Sequence, residues 1–169
     1  MLRVTPDRKY QRDGGPGIAS CARVIREWSA LPAEDLPRLV QWVAFNCLIG
    51  NEDAHAKNLA FLYGEQGLRL APYYDLVTTL AYPDLERSLA MKVGTTWDIR
   101  NVQRSDWRRL AAATDLGWDP VRAIVHEMLS AVTTRIDEVV ELCSRRYDNP
   151  DAFVRIADVI KRQAQRVGY

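Results

Sequence analysis

The chain has 169 residues, 47% of them hydrophobic and 27% charged. That is enough for one domain with a substantial core, and it excludes disordered and fibrous classes. Its 23 basic and 22 acidic side chains leave a net charge of +1, which argues against a broad electrostatic footprint for nucleic acid and so against strong direct binding to it.

Residues 1–16 are polar and run into Asp13-Gly14-Gly15-Pro16-Gly17, a dense turn signal. Ile18, Cys21, Ala22, Ile25 and Trp28 then recur every three or four positions, which predicts an amphipathic helix broken at Leu31-Pro32. A second helix is expected over 34–49, apolar on most of its surface and therefore central, ending at Gly50. Two short apolar stretches around Gly64-Glu65-Gln66-Gly67 predict a hairpin over 59–70. A short helix is expected to begin near 76–80 and a short strand over 89–93, followed by a loop over 94–104. In the last third, Ser105 is the expected cap of a helix over 106–116 stopped by Gly117. Asp119-Pro120 opens a long helix reaching about Cys143, with an apolar stripe from Val121 to Val139 and Leu142. Asn149-Pro150 precedes a last helix over 151–166. The fold class that follows is mainly α, with one small hairpin.

No stretch is long and apolar enough to span a membrane: the run 42–49 is short and interrupted by Asn46. The N-terminal residues have no signal-peptide pattern. Cys21, Cys47 and Cys143 are odd in number and lie in no paired motif, as expected for reduced thiols in a cytoplasmic protein. His55 and His126 do not by themselves make a zinc site.

The stretch dense enough for chemistry is Gly50-Asn51-Glu52-Asp53-Ala54-His55-Ala56-Lys57-Asn58, between the central helix and the hairpin. An aspartate and an asparagine five residues apart match the interval at which protein kinases place a proton acceptor and a magnesium ligand. A hairpin folded between Glu65 and Gln66 sets residue 58 opposite 73, so Asp75 returns beside Asn58 and adds a hard oxygen donor. The same residue types also serve plain structure. Asp53 as a loop or cap residue, His55 as a hydrogen-bonding brace, Asp75 as an N-cap and Lys57 as a solvated charge all remain open here.

Together with Ala71-Pro72-Tyr73-Tyr74-Asp75-Leu76, that stretch resembles the catalytic core of the HipA toxin kinases. Lys9-Tyr10-Gln11 with Asp13 to Gly17, and Leu89-Ala90-Met91-Lys92-Val93-Gly94, resemble flanking segments of the same family, so the likeness covers essentially all of 1–169. The resemblance implies a helical C-terminal lobe of a bacterial serine/threonine kinase from a type II toxin–antitoxin pair. It implies Asp53 as catalytic base, Asn58 and Asp75 as holders of magnesium and of the nucleotide it bridges, and His55 or Lys57 as a phosphate contact or loop brace. Mg2+ and ATP are the expected cofactor and co-substrate, both only in a completed two-lobe kinase.

One departure shapes the expected function. Nothing before residue 50 offers a glycine-rich phosphate loop or a strand lysine: Gly14-Gly15-Pro16-Gly17 lacks the strands around it, and Lys9 sits in a polar segment that gives it no nucleotide role. The N-terminal nucleotide-binding lobe is therefore expected to be absent, and the isolated chain inactive. The expected partners are a separate N-terminal lobe, a helix-turn-helix antitoxin and a protein substrate, which the family resemblance implies is translation-related. The alternatives are an inactive truncated lobe that binds an antitoxin or other partner, and a metal-dependent phosphohydrolase using Asp53 and Asp75.

Overall fold

The computed structural model describes residues 8–167, so the two ends of the expected 1–169 domain lie outside the described residues. Within it the chain is mainly α, with a single two-stranded sheet among the described residues.

Helix α1, Ile18–Trp28, buries Ile18, Cys21, Ala22 and Ile25 as the spacing predicts. Trp28 falls off that stripe and is 47% exposed. Helix α2, Pro32–Ile49, begins two residues before the expected start. Pro32 occupies its first turn, where a missing N–H costs nothing, so the same Leu31-Pro32 pair ends one helix and opens the next. Eleven of its 18 residues are buried, which makes α2 the central helix. It stops at Gly50, whose φ of +75° lies in the left-handed region. A Cβ there would sit 2.7 Å from the Leu80 side chain, so both backbone and packing favour glycine.

Strands β1, Phe61–Gly64, and β2, Gly67–Leu70, pair antiparallel with Phe61 opposite Leu70 and Gly64 opposite Gly67. This is the register expected from a turn centred between Glu65 and Gln66. Ala71 N–H donating to the Ala60 carbonyl at 2.8 Å extends the pairing toward the site, and Ala30 N–H bonding the Leu68 carbonyl at 2.7 Å fixes the hairpin to the α1–α2 turn.

The strand expected over 89–93 does not form. Leu89 N–H bonds the Trp97 carbonyl and Ala90 N–H bonds Glu52, while the Ala90 carbonyl accepts from Gln11. Each partner comes from a different segment, so no ladder propagates and only an isolated bridge, Val93 with Thr96, remains. The helix expected near 76–80 is one 3-10 turn, Thr79–Ala81.

Helix α3, Arg104–Thr114, is capped by Gln103 rather than Ser105, because Asp106 reaches back to accept the Gln103 N–H at 3.2 Å. It ends at Asp115, itself at positive φ, two residues before the glycine expected to stop it. Gly117 instead precedes helix α4, Trp118–Arg146. Helix α4 buries Val121, Val125 and Ile136, but Val139 and Leu142 are 48% and 66% exposed. Helix α5, Pro150–Arg166, has Asn149 as cap, its side chain accepting the Ala152 N–H.

Helix α2 packs against α1, α4 and α5, and α3 fills the space between α1 and α4. Trp42, Leu39 and Leu48 of α2 meet Trp107 and Leu110 of α3 and Ile99 of the preceding loop in one core. Fully burying such side chains stabilises by about 1.5–3 kcal/mol each. Gln163 of α5 is 2% exposed and bonds the carbonyls of Cys47 and Ile99, tying the last helix to the end of α2. The C-terminal end of α2 is thereby fixed, and the polar loop emerges from it.

Candidate functional site

The loop 50–58 is held by amide groups that the sequence alone left unread. Asn46, in the last turns of α2, donates to the Trp42 carbonyl and accepts from Asn51 Nδ2 at 2.7 Å. Asn51 in turn accepts the Asp53 N–H at 3.1 Å and donates to the Asp75 carbonyl at 3.4 Å. On the other side, Thr79 Oγ1 donates to the Gly50 carbonyl and accepts the Glu52 N–H at 2.8 Å. Both amides are almost wholly buried, so each bond is made in a low-dielectric setting where losing it would be costly.

Asn58 closes the loop. Its Oδ1 accepts the His55 N–H at 2.9 Å, and its Nδ2 donates to Asp75 Oδ2 at 2.7 Å. The hairpin register therefore brings Asp75 back onto Asn58, as the turn arithmetic requires. Asp75 sits at φ +56°, a conformation costing about 1 kcal/mol for a residue with a Cβ. The bonds from Asn58 and Asn51 hold it there. An N-cap role for Asp75 does not fit, since the next helical turn starts at Thr79 with Thr78 before it.

Asp53 is half-exposed beside them. His55 Nε2 lies 4.0 Å from Asp53 Oδ2. His55 is 7% exposed, and burial holds its imidazole below the usual pKa, with Asp53 opposing and Lys9 reinforcing the shift. That shift favours the neutral ring, whose Nδ1 is buried without a partner and which meets Tyr10 edge-on at 6.4 Å. Lys57 is exposed at the rim of the loop, and its carbonyl accepts from the Tyr74 hydroxyl. The structure thus joins Asn58 to Asp75 directly and links Asp53 to them through His55 and Asn51. It leaves the Lys57 side chain at the edge.

Sequence reasoning missed two contributors. The first is Lys9, whose Nζ lies 3.1 Å from Asp53 Oδ1 and 3.4 Å from Oδ2, with the Tyr10 ring 4.6 Å away. Hydrogen bonding to Tyr10 and to Asp53 raises the Lys9 pKa against the cost of burial. The glycine cluster was the available signal. A Cβ on Gly15 would fall 2.6 Å from the Tyr10 carbonyl, so only glycine allows the tight reversal that returns Lys9 to the loop.

The second is Asp35, fully buried in the first turn of α2. Its carboxylate accepts from Ser29 Oγ at 2.6 Å, the Leu70 N–H at 2.8 Å, Arg69 at 3.1 and 3.2 Å, and Arg38 at 3.3 Å. Arg38 also donates to the carbonyls of Leu70 and Ala71, and the Tyr73 hydroxyl donates to the Arg38 carbonyl. This knot clamps β2 and the residues after it to α2, and so sets where Asp75 arrives.

Comparison with known proteins agrees with this architecture. Residues 1–136 match the family model of the HipA-like C-terminal domain. The chain is 34% identical over 166 residues to a putative kinase, Y4mE, of Sinorhizobium fredii, covering 98% of this chain and 40% of that protein. It is also 34% identical over 151 residues to the serine/threonine-protein kinase toxin HipA of Shewanella oneidensis, covering 82% of this chain and 34% of the toxin. Among solved structures, a chain from the Shewanella oneidensis complex of HipA, HipB and operator DNA superposes with a TM-score of 0.85 at 21% identity, over 96% of this chain and 41% of that one. The chain therefore spans well under half the length of these relatives.

Proposed function

The chain belongs to the HipA-like C-terminal domain family, and we propose that it is the catalytic C-terminal lobe of a protein serine/threonine kinase that works when an N-terminal nucleotide-binding lobe completes it. The observation that carries this reading is the Asn58–Asp75 contact at 2.7 Å, in the same loop assembly as the half-exposed Asp53 carboxylate. An asparagine amide and a carboxylate side by side suit a magnesium ion, which takes few protein ligands and keeps oxygens of water and phosphate.

Asp53 accepts the proton of the attacking serine or threonine hydroxyl as its oxygen bonds the γ-phosphorus of ATP and ADP leaves. Lys9 orients that carboxylate and balances its charge, while neutral His55 braces the turn leading to Asn58. Magnesium would be held by Asp75 and by Asn58, whose amide presents Nδ2 to Asp75 in this chain and would have to offer its Oδ1 instead, and it would supply neutralisation of the phosphate charge. A type II antitoxin partner is part of the same proposal, supported by the HipA–HipB complex in which the structural relative was solved. Lys57 has the weakest claim among the expected site residues, because it lies at the rim.

The test is complementation. Co-expressed with a matching N-terminal lobe, the chain should transfer radiolabelled γ-phosphate to a protein hydroxyl, and alone it should not. In the active complex, Asp53→Asn should lower turnover about 100- to 10,000-fold with Mg-ATP binding nearly intact. Asp75→Asn should weaken both. An Asp53→Asn complex of undiminished turnover would overturn the assignment. Well-folded complexes that never transfer phosphate would leave partner binding as the function of the lobe.

A further inference from the structure

A cavity of about 500 Å³ opens beside Asp53, between the loop 50–58, the segment around Tyr10 and residues 77–89. Asp53 lines it, whereas Asn58 and Asp75 do not. It therefore approaches the proton acceptor without including the pair proposed to face metal and phosphate. Two of its lining residues carry oxygens with unmet hydrogen-bonding capacity. Glu52 is 3% exposed, and its Oε1 is buried without a partner, while Oε2 takes a single 3.3 Å contact from Arg87. Arg87 divides its donors between that contact and the carbonyls of Thr79 and Tyr82. Ser88 Oγ is likewise buried without a partner.

A carboxylate oxygen removed from water without a donor is destabilising, and such an atom in a cavity wall is a place for a ligand's N–H. The remaining wall fixes the ligand's shape. Val77, Leu85 and Leu89 supply apolar surface. Four carboxylates, those of Asp13, Glu52, Asp53 and Glu86, face one lining guanidinium, Arg12. Arg12 pairs with Glu86, Lys9 with Asp53 and Arg87 with Glu52, which leaves the exposed Asp13 as one carboxylate in excess. An aliphatic stem with a cationic, hydrogen-donating tip satisfies both features, and lysine and arginine have that form.

We propose that this cavity is a specificity subsite for a lysine or arginine side chain of the protein substrate, with Glu52 as its principal acceptor and the phosphoacceptor hydroxyl delivered to Asp53. The subsite rests on the kinase reading for its meaning, but its binding can be read separately from phosphate transfer. Glu52 is then the specificity-determining residue: its Oε1 gains the donor that the free chain lacks, while the stem covers Leu85 and Leu89.

The experiment is a chemical-shift titration of the isotopically labelled chain with two peptides. One places a lysine beside a serine, and the other replaces that lysine by norleucine, which keeps the stem and removes the ammonium. The lysine peptide should bind at least about tenfold more tightly, the usual value of a charge-assisted hydrogen bond to a buried acceptor. Its largest shifts should fall on Glu52, Ser88 and Leu89. Glu52→Gln should erase the preference. Asp13→Asn, an exposed change that leaves the fold intact, should reduce it about twofold.

Equal affinity of the two peptides for the natural chain would overturn the subsite without any variant having to fold. A preference that survives in Glu52→Gln would overturn the role of Glu52. Selective lysine binding by a chain that supports no phosphate transfer with its N-terminal lobe would sustain the subsite while refuting the catalytic reading.

Discussion

Asp35→Ala isolates the clamp that positions the hairpin. The substitution removes the acceptor of the Leu70 N–H and Ser29 hydroxyl and the counter-charge of Arg38 and Arg69. Removing one partner of a buried ion pair typically costs about 3–5 kcal/mol. The two arginine side chains are 31% and 25% exposed, so water would recover part of their solvation. The expected loss is therefore at the low end, about 3 kcal/mol. With a urea dependence of about 2 kcal/mol/M, the unfolding midpoint followed by circular dichroism should fall by about 1.5 M. A second measurement separates charge from packing. Burial alone would push the Asp35 carboxyl up, but the bonds from Arg69, Ser29 and the Leu70 N–H outweigh it and leave the pKa below the ordinary value. A carboxyl depressed in the folded state stabilises fully above its unfolded pKa of about 3.9, and that stability is lost as pH falls through the folded value. Part of the acid destabilisation below about pH 4 should therefore disappear in Asp35→Asn. A midpoint shift below about 0.5 M for Asp35→Ala would refute the clamp.

Three further outcomes are expected. Lys9→Met should cost less than about 1 kcal/mol in chemical denaturation, because the two ends of its ion pair are 32% and 40% exposed. In a completed kinase it should lower turnover and leave nucleotide affinity unchanged, and unaltered turnover would remove Lys9 from the site. The folded state holds the His55 pKa down, so the unfolded chain binds the extra proton first. Stability should be full above about pH 6.5 and decline below it, and His55→Gln should flatten that segment of a pH-resolved melting profile. Burial pushes the Cys21 and Cys47 thiols up to about 12. A native thiol titration at pH 8 should then count one fast-reacting cysteine, the half-buried Cys143, with the other two appearing only on denaturation.

The sequence determined most of what is local. Apolar spacing fixed α1, α2 and α5 because a helix face is read from positions three and four apart. The two residues between β1 and β2 fixed the hairpin register, since pairing about a short turn leaves no freedom, and that register, together with the Asp35 clamp, carried Asp75 to Asn58. Capping was less legible. Asp106 reaching back to Gln103 outcompeted Ser105 as the start of α3, and Asp115 rather than Gly117 ended it, because several neighbouring residues of these types could each have served. Residues 89–93 were apolar enough for a strand, yet a strand needs one continuous partner, and here the partners come from Trp97, Glu52 and Gln11 in turn. What tertiary structure alone decided are the long-range polar contacts. Lys9 meets Asp53 across 44 residues, and Asp35 meets Arg69 and Leu70 across about 35. No periodicity encodes such pairs, because a charged side chain in sequence looks the same whether it faces water or a buried partner. Burial and distance, which only the folded chain defines, turn it into a clamp or a neighbour of Asp53.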